Sequence, residues 1–213
     1  MPFQPRLLKA SLLGLFLAFG VPSLMAQESE LFSLKNRWEN ITTQMPEDAR
    51  AKALEGLADE AGTLARQYSD DARVLIWQGI VLASQARESG GLSALGLAKD
   101  ARAALERGIE LDPKGNGGSA YVTLGALYDR VPGWPVGFGN SETAEAMFQQ
   151  ALAIRPDGID VNYYYAAFLE EEGRKDQALE HARLAVNGEA RGEREISDEA
   201  LRDRARRLVA SLQ

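Results

Sequence analysis

The chain has 213 residues, a formal net charge of −7, 45% hydrophobic residues and no cysteine. The acidic balance argues against nonspecific binding to nucleic acid or to an anionic membrane surface, both of which attract clustered Lys and Arg. Without cysteine there is no disulfide framework, no thiolate nucleophile and no lipid attachment through a thiol.

The chain opens with Arg6 and Lys9, followed by an uncharged, mostly apolar run from Ala10 to Ala26. Leu24-Met25-Ala26 then puts a small residue before the polar Gln27-Glu28-Ser29-Glu30. This is the layout of a cleavable secretory leader, and the run is short for a spanning helix. Residues 1–26 are therefore set apart as a signal peptide from one domain covering 27–213. The expected location is the periplasm of a double-membraned bacterium. A retained leader would instead anchor the chain in the inner membrane.

Leu31, Leu34, Trp38 and Ile41 recur at helical spacing and predict an amphipathic helix directly after the leader. Pro46-Glu47-Asp48 opens a second helix, with proline in the first turn and acids near the positive helix end. Ala53, Leu57, Ala61, Leu64 and Tyr68 share its buried face.

A first repeat is expected over residues 70–113, with Asp70 or Asp71 as helix cap. Its first helix carries Leu75, Gly79 and Leu82, its second Ala101, Leu105 and Gly108, and Pro113 ends it; Trp77 fits no position of this pattern. The stretch E-S-G-G-L-S-A-L-G-L between the two helices reads as a long loop. A second repeat, 118–156, contains the insertion Val131 to Asn140. A third, 158–188, carries Asn162, Tyr165, Ala166, Leu169, Ala178, Ala182 and Ala185, with Gly173-Arg174 as a tight turn. A polar break from Gly188 to Arg194 precedes a last helix over 197–211, capped by Ser197. No stretch alternates apolar and polar residues, so no strands are predicted.

The second repeat matches a known pattern best. Tyr121, Leu124, Gly125 and Tyr128 fit W-x2-L-G-x2-Y with tyrosine in the tryptophan place, and Ala144, Phe148 and Pro156 fit A-x3-F…P. On these residues the chain resembles the tetratricopeptide repeat (TPR) family. The resemblance implies an all-α fold: a right-handed TPR-like α-solenoid of about three helix–turn–helix repeats with capping helices at both ends. Over roughly Gly118 to Val186, V-P-G-W-P-V-G-F-G and P-D-G-I-D-V-N-Y-Y-Y are similar to stretches in exported proteobacterial TPR-like proteins. A more distant resemblance is to the T component of tripartite ATP-independent periplasmic (TRAP) transporters, a family anchored through a cysteine that this chain lacks.

Two candidate binding places follow. The first is the edge where the inter-helix stretches Gly90-Gly91-Leu92 and Val131 to Asn140 lie side by side. The second stretch holds Trp134 and Phe138 among prolines and glycines that fix its shape. Trp134 either presents its ring to a partner or folds back to plug its own hairpin. The second place is implied by the resemblance, in which the first helix of each hairpin lines a concave groove. By offset this selects Arg73, Ile76 and Ile80, then Val122, Ala126 and Asp129, then Asp160, Tyr163, Ala167 and Glu170. Three consecutive tyrosines cannot share one buried face, because successive helical residues point about 100° apart. With Tyr165 in the core, Tyr163 faces the groove and Tyr164 lies beside it, as a ligand platform or as cover for a neighbouring loop.

Nothing points to catalysis. His181 is the one histidine, and it stands beside the packing residue Ala182. The usual zinc and cysteine-nucleophile constellations are absent, and Gly133, Gly137 and Gly139 lack the spacing of a nucleotide loop. No metal and no cofactor are expected. The reading is a noncatalytic scaffold for a protein or peptide partner. The alternative is a small-molecule carrier or transport accessory, enclosing its ligand around Trp134 and Phe138.

Overall fold

The computed structural model describes residues 20–213, with side chains from Leu24 onward. The leader expected over 1–26 therefore lies mostly outside the described residues. Helices α1 (Gly20–Thr43) and α2 (Glu47–Gln67) form the first hairpin. Then follow α3 (Ala72–Glu88) with α4 (Gly91–Leu111), α5 (Ser119–Arg130) with α6 (Ser141–Ile154), and α7 (Ile159–Glu171) with α8 (Lys175–Asn187). A 3-10 turn, Gly192–Arg194, leads into α9 (Glu195–Leu212). Among the described residues the only extended pairings are two isolated bridges, Gly133 with Gly139 and Gly158 with Glu189.

The odd-numbered helices pack against one another in series, α1 on α3, α3 on α5, α5 on α7 and α7 on α9. Each even-numbered helix backs its own partner and the next odd one. This is the all-α solenoid expected of stacked hairpins, in which each unit buries its apolar face on its neighbours. Helix α9 lies where a further repeat would begin, and it also touches α1.

Small residues set the close approaches. Gly79, Gly108 and Gly125 each face a large side chain: a Cβ added there would come within 2.5 Å of Leu105, 2.5 Å of Ile76 and 2.7 Å of Phe148, respectively. Ala101, Ala144, Ala166, Ala178 and Ala182 are fully buried for the same reason. Helix starts use side-chain oxygens where the sequence supplies them: Asp71 accepts from the N–H of Arg73 (2.8 Å), and Asn140 accepts from that of Thr143 (2.7 Å).

Two expectations are corrected. The first repeat has no long loop: only Ser89 and Gly90 separate its helices, and the additional residues extend α3 and α4. Leu95, Leu97 and Ala98 continue the apolar face of α4 backward through a glycine-rich stretch, which outweighs the turn propensity of the glycines. The last helix begins at Glu195 rather than at a Ser197 cap. Ser197 is buried, and its N–H and hydroxyl both lie 2.8 Å from Glu39 Oε1 on α1. The cap at this helix N-terminus comes from a distant carboxylate, which also suits the positive end of the helix dipole.

Candidate functional site

The loop between α5 and α6 is a genuine excursion with a pinned stem. The N–H of Gly139 donates to the Pro132 carbonyl (3.0 Å) and that of Asn140 to the Tyr128 carbonyl (2.8 Å). No Cβ fits at Gly139, where one would lie 1.8 Å from the Val131 carbonyl oxygen. Phe138 is the loop's inward wedge. Its half-buried ring meets Tyr128 edge to face at 5.3 Å, and the Arg102 guanidinium lies 4.4 Å from the ring centre. Trp134 points the other way and is 90% exposed. Val136 (60%) and Leu92 (86%) are exposed as well. The start of α4 reaches the loop through Leu95, whose Cδ1 would lie 3.3 Å from a Cβ on Gly137. Leu92 stands one helical turn before it. The two stretches meet at one edge, and the two aromatic residues divide: Phe138 anchors, Trp134 is presented.

The inner face is different. Of the residues expected to line it, Ile76 packs instead between α3 and α4 against Gly108, while Ile80 and Val122 are buried, Val122 in a small cluster with Ala151 and Val161. Helix α1 covers α3, with Trp38 Nε1 donating to Ser84 Oγ (2.8 Å) and Arg73 paired with Glu28 (2.7 Å). Trp77 is 1% exposed and meets Trp38 edge to face at 5.6 Å.

Over the same face runs the connection between α8 and α9, residues 188–194, called here the strap. Arg191 pairs with Asp160 of α7 (3.0 Å) and with Asp198 (2.6 Å), and its Nη1 donates to Ser119 Oγ of α5 (3.3 Å). Arg194 is buried, its guanidinium 4.6 Å from the Trp38 ring centre and 5.1 Å from that of Trp77. Glu193 pairs with Lys35 of α1 (3.0 Å). The strap thus touches α1, α3, α5 and α7.

The electrostatics follow from this placement. Burial alone would raise the pKa of Asp160, but Arg191 and Arg155 (2.6 Å) outweigh it and hold the carboxyl below its ordinary value. Burial would lower that of Arg191, but Asp198 and Asp160 outweigh it and raise the value. For Arg194 burial wins, helped by repulsion from Arg191, and the pKa is lowered.

Tyr163 and Tyr164 are half-buried, their rings edge to face at 5.3 Å. Ala167 is half-buried nearby on α7. Asp129 lies toward the other end of the inner face. Burial raises its pKa, as do Glu171 and Glu172, with Arg130 opposing. His181 is half-buried, with Nδ1 2.8 Å from Asn162 Oδ1 and its ring 4.7 Å from that of Tyr165. Its pKa is lowered by burial, so near neutral pH the ring is uncharged and held in the packing.

Sequence reasoning passed over Arg191 and Arg194, which read as a polar break. The available signal was Trp77, an aromatic outside the repeat pattern that needed a partner. No family model matches the sequence, and no curated protein matches it. Among solved structures the chain is similar to a thermophilic TPR protein of Thermus thermophilus, at 18% identity and a TM-score of 0.57. The match covers 89% of this chain and 94% of that one. At that identity the likeness speaks for the fold.

Proposed function

We propose that the protein is a noncatalytic scaffold, exported to the periplasm by a leader cut after Ala26, and that it holds a protein partner at the loop edge bearing Trp134. The observation that carries this reading is a tryptophan 90% exposed at the tip of a loop whose stem is fixed. Large aromatics supply much of the binding energy at interfaces, and a shape set in advance lowers the cost of ordering. Leu92 and Val136 extend the apolar edge on which a partner would rest. The small-molecule carrier finds less support, because a ring in solvent encloses nothing.

The test is affinity capture from periplasmic extract with wild-type protein and Trp134→Ala, followed by titration of the purified captured protein. The variant should bind about tenfold more weakly or worse, with its unfolding midpoint intact. Blue-shifted tryptophan emission on binding, lost in the variant, would place the ring at the contact. Equal affinities would remove the loop edge from consideration. Mass spectrometry of the mature N-terminus checks export, which predicts a chain beginning at Gln27.

A further inference from the structure

The strap has the properties of a bound peptide. Its backbone is extended at Gly188 (φ −63°, ψ 166°) and at Arg191 (φ −76°, ψ 131°), and Glu189 forms an isolated parallel bridge with Gly158. It is anchored by two arginine side chains three residues apart, one in a polar site and one between aromatic rings. The polar site consists of Asp160 and Ser119, and its guanidinium also meets the strap's own continuation at Asp198. The aromatic site consists of Trp38 and Trp77. A guanidinium is planar, donates in a fork and stacks on rings, so this pair of sites selects arginine over lysine.

The fit is incomplete. Arg194 finds no carboxylate to pair with directly among the described residues; its Nε reaches only Ser197 Oγ, at 3.4 Å. The Trp77 indole N–H is buried without an acceptor. A buried cation attracted by Asp160 and Asp198 only at longer range, with no direct ion pair, and an unpaired buried donor both weaken an occupant's hold. Gly192, with open space around it, gives the backbone freedom between the two anchors, while Gly188 stays packed on Asp157 and Ile159 as the strap's fixed base.

We propose that the inner face is an arginine-reading groove which the chain fills with its own Arg191-x-x-Arg194 strap, and that its ligand is a peptide segment carrying the same pair of guanidinium groups, seated by displacing the strap. The groove is separate from the Trp134 edge, so each can fail without the other.

The experiment uses a fluorescent, N-acetylated peptide copying residues 187–198 and a control with both arginines replaced by lysine. Binding is read by anisotropy to the full mature chain and to Arg191→Ala/Arg194→Ala, in which the strap keeps its length and loses its anchors. A tethered competitor acts at roughly millimolar effective concentration, so the double variant should bind the arginine peptide about a hundredfold more tightly than wild type. The lysine peptide should bind about tenfold more weakly or worse. Equal binding by both peptides, or by both proteins, overturns the proposal, as does no binding to a folded double variant. Should the double variant fail to fold, hydrogen exchange on wild type decides. Saturating arginine peptide should speed exchange at the Arg191 and Ser197 amides, which donate to Asp198 and Glu39 (2.9 and 2.8 Å). Unchanged exchange there overturns the proposal.

Discussion

Replacing Gly125 by alanine tests the packing register of the second repeat. The added Cβ would lie 2.7, 2.8 and 2.9 Å from three atoms of the Phe148 ring. Carbon atoms settle at about 3.5–4.0 Å, so the overlap approaches 1 Å. The ring has little room to retreat: Phe148 is 1% exposed and lies 5.7 Å, centre to centre, from both Tyr165 and Phe168. Overpacking of this kind costs about 1–3 kcal/mol. Alanine's better helix propensity returns about 1 kcal/mol. The expected net loss is about 0–2 kcal/mol, or a fall of up to about 8 °C in midpoint for a chain of this size. Thermal and urea unfolding followed by circular dichroism measure it. Gly56 is the matched control, because it lies inside α2 with open space around its Cβ position. Gly56→Ala should stabilise by about 0.5–1 kcal/mol. Adding Phe148→Leu to Gly125→Ala should recover part of the loss, since the smaller side chain vacates the overlap. A Gly125→Ala protein stabilised as much as Gly56→Ala, which shows the propensity gain alone, or strictly additive effects in the double variant, would refute the reasoning.

Phe138→Ala should lower stability by about 1–2 kcal/mol, because the half-buried ring loses Tyr128 and Arg102; Trp134→Ala should stay within about 0.5 kcal/mol. Differential scanning calorimetry of the pair separates the wedge from the presented ring. The depressed pKa of Asp160 gives stability that is present above its unfolded value and drains away as pH falls below about 4. Asp160→Asn should therefore be less stable at neutral pH and lose less on acidification, which urea titrations across pH 2.5–7 would check. Asp129 has the opposite sign: its raised pKa means the folded state disfavours the ionised carboxylate. Asp129→Asn should raise the midpoint at pH 7, and the gain should shrink as acid protonates the wild-type carboxyl.

The repeat hairpins were legible because close helix contact requires small residues at fixed places, and Gly125, Ala144, Ala166 and Ala178 stand there. The tight Gly173 turn was legible as well, since a φ of +74° favours glycine. The extension of α4 was hidden by glycines whose turn propensity yields to the apolar face beyond them. The strap was hidden for a deeper reason. Glu193 meets Lys35 and Ser197 meets Glu39, each across 158 positions of chain. Contacts at that separation leave no periodic trace, and two arginines in a polar stretch look the same whether they face water or two indoles. At the loop edge the sequence offered both fates for an aromatic side chain, and Phe138 and Trp134 take one each.

The contact between α1 and α9 changes how such a molecule should come apart. An open solenoid behaves as a one-dimensional chain of coupled units, and its end units fray first because each has a single neighbour. Here each end is the other's neighbour, so fraying at the N-terminus exposes the C-terminal helix and the reverse. Amide exchange should then be nearly uniform from α2 to α8 instead of rising toward the termini. Closure has a kinetic counterpart. Joining residues 158 apart must wait for a large loop to close, so the last step of folding should be the slow one, with most helix already formed. Deleting either end helix would return the remaining repeats to the gradual, end-first melting of a linear array.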